Sequence, residues 1–447
     1  MKFIIAGAGS VGYDIAKHLI KEGKDVILVE KDPVRAKFIE TELDCIVLNR
    51  EINSLQVLKD TNIEDGDYFI AVTESDEVNL IACSIVSTVT NVKKIARVRN
   101  LEYSHAEVLG RPFLGADYVI SPEIEAAKQI ADIIDKGVAS DVLAFEGSDI
   151  TVRAGMVEKN SIFKNKSLIK IRKEIGKPFI IAFIKRGDKA IVPAGETVIR
   201  EGDNIFIVAD SKTMNYIFHK LGKKILKVKS ALIIGTTRIA VNLLRTLSNR
   251  PIKLTAIIDD YEEAKKISRA FPNVLVINDD VRDEAIFEEE KLNELDLIVT
   301  VTDNQELNVI TSLYAKNIGI SRAVAAVNKQ SYMSIAQKLG VDATVSPKKS
   351  AVDAILKYIR KGDIKTFHSL LQGDAEAIEL IINERCSAYG KAVKNLNMPS
   401  DSIIAAVTRD GIVHIPDGNF TFQTGDAAVI IMKSSVSGKI ETIFANN

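Results

Sequence analysis

Gly7, Gly9 and Gly12 form a G-x-G-x-x-G turn between the apolar run KFIIA and the helical stretch VGYDIAKHLI. Such a turn needs glycine for a different reason at each position. Gly7 allows the tight bend, Gly9 lets the backbone approach a pyrophosphate without a Cβ in the way, and Gly12 lets the helix pack against the strand. The helix then turns its unpaired N–H groups toward the phosphates. The next apolar run, DVILVE, ends at Glu30, close to the roughly 20-residue spacing at which this turn expects an acid to hold a ribose hydroxyl. A carboxylate there repels a 2′-phosphate and so favours NAD(H) over NADP(H). Asp32 is a second candidate for the same contact.

Thr73, Glu74 and Asp76 follow the run DYFIAV, at the carboxyl edge of a parallel sheet, where ligands of such folds bind. Arg97 and Arg99 end KIARVR, and Arg97 is placed to meet phosphates through charge-assisted hydrogen bonds. Catalytic machinery is not legible beside these groups. His18, His105, His219, His368 and His414 are scattered, without metal-ligand spacing or a carboxylate partner in sequence. Tyr13 and Lys17 make a Y-x-x-x-K pair, but on the helix just after Gly12, where they read as helix surface. No catalytic residue, no metal ligand and no enzymatic activity are expected.

The first block recurs. KFIIAGAGSVGYDIAKHLI is answered by SALIIGTTRIAVNLLRTLS from Ser230, with Gly7 matched by Gly235. DVILVEKDPVRAKFI then matches LTAIIDDYEEAKKI, and DYFIAVTESDEVNLI matches DLIVTVTDNQELNVI. Short β-branched runs alternating with helical periodicity predict βαβ units and a buried parallel sheet in each copy. A smaller strand-rich segment follows each, with Pro193, Gly195 and Gly202-Asp203 matching Pro416, Gly418 and Gly425-Asp426. The fold class is therefore α/β: two Rossmann-type parallel-sheet domains, each followed by a small α+β domain, in the order A-B-A′-B′. The expected boundaries are 1–135 and 136–215 for the first pair, a linker at 216–229, then 230–360 and 361–447.

In the second copy Thr237 and Ala240 stand for Gly9 and Gly12, and Thr237 is expected to push a side chain toward the pyrophosphate. The acid reads as retained in Asp259 and the edge threonine as Thr302, while Arg97 and Arg99 are matched by Ala325 and Val327. Gly235, Asp259 and Thr302 are thus the candidates for a weaker, altered or silent second site.

Among the 447 residues, 59 Lys and Arg nearly cancel 60 Asp and Glu, and no basic block forms a nucleic-acid footprint. Cys45, Cys83 and Cys386 are odd in number, far apart and set in apolar runs, as in a reduced compartment. The N-terminus shows no cleavable signal pattern. The longest uncharged stretch, near Leu80 to Val92, is shorter than the ~20 apolar residues of a spanning helix. A cytoplasmic protein is expected, and any role at a membrane would need a partner that spans it.

GAGSVG, VEKDP, AVTESDEVNL and IARVRNLEY, with the A-B-A′-B′ order, resemble the TrkA family, the peripheral tandem-RCK subunits of Trk-type potassium uptake systems, over essentially the whole chain. The resemblance implies a regulatory, nucleotide-sensing role: a homotetramer docked at the inner face of the cell membrane beneath an integral potassium-translocating subunit. It implies NAD(H) as ligand, with ATP or ADP as the other candidates. Carried onto this sequence it implies that Gly7, Ala8, Gly9, Ser10, Val11, Glu30, Thr73, Glu74 and Arg97 line the first site. A soluble NAD-dependent oxidoreductase and a gating module of another ion pathway are the competing readings.

Overall fold

The computed structural model describes residues 1–100, 103, 114–135, 142–145, 149–187, 189–221, 228–359, 364–370 and 375–444. The first unit contains β1 (Lys2–Ala6), α1 (Ser10–Lys21), β2 (Asp25–Glu30), α2 (Pro33–Glu42), β3 (Ile46–Asn49), α3 (Leu55–Asp60), β4 (Tyr68–Ala71), α4 (Asp76–Val89), β5 (Lys93–Arg97), β6 (Tyr118–Ile120) and α5 (Pro122–Asp135). Its strands pair in parallel in the order β3-β2-β1-β4-β5-β6. This is the Rossmann order, whose reversal between β1 and β4 opens a crevice at the strands' carboxyl ends. Phe3 to Ala6 and Phe69 to Ala71 are fully buried, as strands covered on both faces must be.

The first small domain has β7 (Val142–Ala144), β8 (Ile150–Met156), α6 (Leu168–Ile175), β9 (Ile180–Arg186), β10 (Lys189–Ile191), β11 (Asn204–Asp210) and α7 (Ser211–Lys220). Its sheet is antiparallel, ordered β10-β9-β11-β8-β7. Met214, Ile217 and Phe218 of α7 pack into this domain's core. The helix crosses residue 215, where the sequence had suggested a boundary, because its apolar stripe needs the sheet it has just left.

The second unit repeats the first: β12 (Ser230–Ile234), α8 (Arg238–Leu247), β13 (Lys253–Ile258), α9 (Tyr261–Ala270), β14 (Val274–Asn278), α10 (Ala285–Glu289), β15 (Leu297–Thr300), α11 (Gln305–Asn317), β16 (Arg322–Ala326), α12 (Gln330–Leu339), β17 (Ala343–Val345) and α13 (Pro347–Ile359). Its sheet is ordered β14-β13-β12-β15-β16-β17. The last domain has β18 (Ile364–Leu370), β19 (Ala375–Ile381), β20 (Ser402–Arg409), β21 (Ile412–His414), β22 (Ala427–Lys433) and α14 (Ser437–Ile443). Its strand order, β18-β19-β22-β20-β21, is the topology of the first small sheet. The two small sheets share one core, in which Phe183 and Phe206 meet Ala377 and Ile431.

The Gly-Asp repeat of the small domains has a structural cause. Asp203 and Asp426, 1% and 0% exposed, each receive a bidentate pair of hydrogen bonds from the arginine that ends a neighbouring strand. Arg186 Nε and Nη2 donate to Asp203 at 2.8 Å, and Arg409 Nε and Nη2 to Asp426 at 2.7 Å. The preceding glycines, Gly202 and Gly425, take φ of +81° and +87°, a conformation that side chains strain to adopt.

The units exchange their last helices. α5, which follows β6 of the first sheet, packs its Ala127, Ile130 and Ile134 into the core of the second, against α8. α13 does the reverse: Ala351, Val352 and Ile355 join the core of the first unit beside α1. Tyr68 Oη donates to the Ile359 carbonyl at 3.0 Å, and Tyr118 stacks on Tyr358 with centroids 4.4 Å apart. Where α5 and α13 meet, Ser350 Oγ donates to Gln129 Oε1 at 2.7 Å.

Candidate functional site

A cleft of about 630 Å³ opens at the carboxyl edge of the first sheet, lined by the glycine turn, Glu30, the loop after β3, Thr73 to Ser75 and two arginines. Gly7 has φ of +99°, and a Cβ on it would lie 2.9 Å from the Thr73 nitrogen. A Cβ on Gly9 would have no heavy atom within 4 Å, so that position faces the open cleft. Gly12 is more constrained than the sequence suggests. Its Cβ would fall 1.9 Å from the Gly7 carbonyl oxygen and 3.2 Å from Val72, so the turn itself, as well as helix packing, excludes a side chain.

Glu30 ends β2 with its carboxylate already fixed: Oε2 accepts from the Ala8 N–H at 2.7 Å and Oε1 from the Asp32 N–H at 2.9 Å. A carboxylate has about four acceptor sites, so it retains capacity for a ribose diol. Asp32 also lines the cleft, with one of its two oxygens committed to the helix that follows. Its Oδ1 caps α2, accepting from Val34 and Arg35 N–H groups. Asp76 is turned away, accepting from the Arg99 and Asn100 N–H groups at 2.8 and 2.7 Å, which pins the loop after β5. Of these two candidates, Asp32 stands in the cleft wall and Asp76 outside it.

Thr73 is held by Asn79, a residue without exposure that sequence reasoning had not singled out. Its Oδ1 accepts from the Thr73 N–H and hydroxyl at 2.9 and 2.7 Å, and its Nδ2 donates to the carbonyls of Thr73 and Arg97. One amide thus locks the ends of β4 and β5 together beneath the cleft. The same device recurs at Asn308, between Thr302 and Ala326.

Arg97 projects into the cleft with its Nη1 3.5 Å from the Thr73 carbonyl, while its buried Nε has no hydrogen-bond partner. Burial, and then the charge of Arg99, push its pKa below the ordinary arginine value, though guanidinium stays protonated at neutral pH. A buried donor without an acceptor is costly. The arrangement fits an anionic ligand group that completes it. Arg97→Gln is expected to weaken nucleotide binding about tenfold or more, the scale of a lost hydrogen bond to a charge, as read by calorimetric titration. Unchanged affinity would remove Arg97 from the site.

Two further arginines line the cleft without a signal in the sequence. Arg35 donates to the Ala8 carbonyl at 2.9 Å and lies over the rings of Phe38 and Tyr13, while Arg50 stands just beyond β3. Their place follows from the order β3-β2-β1, which brings the first turn of α2 and the start of the loop after β3 beside the glycine turn.

The second mouth is altered further than the sequence suggests. Strand pairing sets Glu30 opposite Asn49 and Ile258 opposite Asn278, and each Asn donates its side-chain amide to the equivalent carbonyls. Ile258, 1% exposed, is therefore the counterpart of Glu30, and Asp259 answers Lys31; the acid is not retained. The same register corrects the arginines by one position: Ala326 and Asn328, not Ala325 and Val327, stand for Arg97 and Arg99. Thr237 does not project its hydroxyl outward but donates it to the Val301 carbonyl at 2.5 Å. Gly235 keeps the bend with φ of +118°, and Thr302 keeps its Asn. Arg35 and Arg50 become Glu263 and Asp279. A mouth with Ile258 at the ribose position and Ala326, Glu263 and Asp279 in place of three of the arginines has lost most of what would hold a dinucleotide, although Arg238 opens α8 where Ser10 opens α1.

Tyr13 and Lys17 lie together on α1, the ammonium 6.0 Å from the ring centre, and neither lines the cleft. His368 and His414 pack against Phe145 and Phe420, His219 lies in the last turn of α7, and His105 falls outside the described residues. Cys83 and Cys386 are buried and Cys45 half-buried, all as thiols; burial pushes Cys83 up to about 12. Among the described residues no group of His, Cys, Asp and Glu is arranged to hold a metal, and no helix is long and apolar enough to cross a membrane.

This duplicated geometry coincides with two family models. The TrkA-N domain matches residues 3–122 and again 231–347, and the TrkA-C domain matches 156–222 and 377–445. The chain belongs to the TrkA family. Relatives include the Trk system potassium uptake protein TrkA homolog 1 of Methanosarcina mazei, 28% identical over 99% of this chain and all of that one. The TrkA homolog of Archaeoglobus fulgidus is 29% identical over 99% of this chain and its own full length. Among solved structures, the GsuK RCK domain superposes with a TM-score of 0.56 at 16% identity, covering 99% of this chain and 94% of that one. The GsuK channel bound to NAD gives 0.54 at 16%, covering 99% and 78%. These two share the tandem RCK fold with this TrkA family member.

Proposed function

We propose that this chain is a nucleotide-sensing regulatory subunit that gates potassium uptake through a membrane-embedded translocating partner. The observation that carries the reading is the asymmetry of its two mouths within a duplicated TrkA-N and TrkA-C architecture: one keeps Gly9, Gly12, Glu30 and Arg97, while the other has replaced them. A ligand that binds one unit of a helix-exchanged pair biases the arrangement of both by its differential affinity for them. NAD(H) is the ligand favoured by the free lone pairs of Glu30, with ADP and ATP as competitors for the same turn. The neighbour whose name records NAD supports the first.

The proposal includes assembly as a homotetramer at the inner face of the cell membrane. It involves no turnover: Tyr13 and Lys17 do not line the cleft, so NADH bound there meets no proton donor from them. The decisive experiment is potassium uptake by cells that lack their own system and receive a Trk-type translocating subunit with or without this chain. Uptake that needs the chain and is lost with Gly9→Val supports the reading. Uptake indifferent to the chain, or consumption of NADH with a carbonyl substrate, would replace it.

A further inference from the structure

One wall of the nucleotide cleft rests on the other unit. α1 begins at Ser10, which lines the cleft, and Val11, also lining it, sits in the same core as Ala351, Val352 and Ile355 of the exchanged helix α13. One turn along α1 from Ser10, Asp14 meets Lys348 from the first turn of α13, with Nζ and Oδ2 2.7 Å apart. Residues four apart share a helix face with Cβ atoms about 5–6 Å from each other. The Lys348 ammonium, on a four-carbon stem with rotatable donors, is thus one helical turn from the N-terminus of α1, where the phosphates are expected.

Both members of the pair are partly open to solvent, at 28% and 35% exposure, and an ion pair in that setting holds weakly. A phosphate chain offers the same kind of charge-assisted bond from a group that carries more than one negative charge. The opposite mouth reverses the chemistry. By the register of Pro122 and Pro347, Glu123 of α5 stands where Lys348 does, and Asn242, occupied with Arg238 and Arg245, replaces Asp14. At this position the chain therefore offers a cation from the partner unit to the mouth that keeps its glycines and an acid to the other.

We propose that Lys348 belongs to the nucleotide site of the first unit although the second unit carries it: it leaves Asp14 for the phosphates of a bound nucleotide and so ties occupancy to the seating of α13. This rests on the reading of the first cleft as a nucleotide site. The ligand class is a nucleotide whose phosphate chain reaches the head of α1, and ADP is the probe.

The test is calorimetric titration of the full chain with ADP, together with hydrogen exchange of α13. Lys348→Met is expected to weaken binding about tenfold, the scale of one hydrogen bond to a charge, and to abolish any ADP-dependent protection of α13. Asp14→Asn frees the lysine and should tighten binding severalfold, a gain that misfolding cannot produce. That gain should vanish when Lys348→Met is added. Unchanged affinity in Lys348→Met, or a gain in Asp14→Asn that survives loss of the lysine, overturns the proposal while leaving the nucleotide site intact. Wild-type binding that persists in Gly9→Val overturns the site assignment as well, as does absence of any ADP or NADH binding.

Discussion

Gly9→Val should cost at least about a hundredfold in nucleotide affinity, because three carbons would occupy the space that the pyrophosphate needs, and overpacking at such contact is not relieved cheaply. The fold should survive. Gly9 is the N-cap of α1 with φ of −62° and ψ of −172°, an ordinary extended conformation for valine, and a Cβ there touches nothing. Only the weaker capping by valine, about 0.5–1 kcal/mol, opposes it. Calorimetric titration with NADH, NAD, ADP and ATP, beside a melting curve, checks both halves. One site per chain in the unmutated protein, lost in a variant that melts within a few degrees of it, is the expected result. A folded variant with full affinity would show that the ligand does not pass over Gly9.

The second large effect concerns stability. Asp203→Ala should destabilise the first small domain by about 3 kcal/mol, the low end for breaking a buried ion pair, since Arg186 keeps some access to water. Burial alone would raise the Asp203 carboxyl. The Arg186 guanidinium and the Arg200 N–H outweigh it and hold the pKa below the usual carboxylate value. A depressed folded value means stabilisation that is present above the unfolded pKa of about 4 and is lost as pH falls through the folded one. Hydrogen exchange in β9 and β11 should therefore separate wild type from variant widely at pH 7, and the gap should narrow on acidification. A gap that is constant with pH would assign the loss to packing instead of charge.

The periodicity of the strands and Gly7 and Gly12 of the turn were legible because each is a local arrangement whose residue type is forced by its own backbone, and Glu30 because it ends the next strand at the spacing such a turn sets. The duplication was legible too, since matched blocks need no structure to be aligned. What failed was register. IIDD offers two acids to match one glutamate, and only the amide of Asn278, bonded to the Ile258 carbonyl, shows that the strand's last residue is the isoleucine. Asp76 illustrates a different limit: an acid that faces a ligand cleft and an acid that pins a loop look alike in a sequence. Arg35 and Arg50 were invisible because strand order, not chain order, makes them neighbours of the turn, and Asn79 because a polar residue on a helix carries no mark of the backbone groups it bonds. The partners of α5 and α13 were hidden for the same reason, as each helix is amphipathic whichever sheet it covers.

The exchange of those helices implies a history and a freedom. Two half-length chains trading a helix would make a symmetric pair, in which any substitution enters both mouths at once and no mouth can be retired without the other. Joined in one polypeptide, the halves escape that constraint. Ile258, Thr237 and Ala326 could settle in one copy while Glu30, Gly9 and Arg97 persisted in the other. Division of labour between a reader and a responder is thus open to this chain and closed to a homodimer of identical halves.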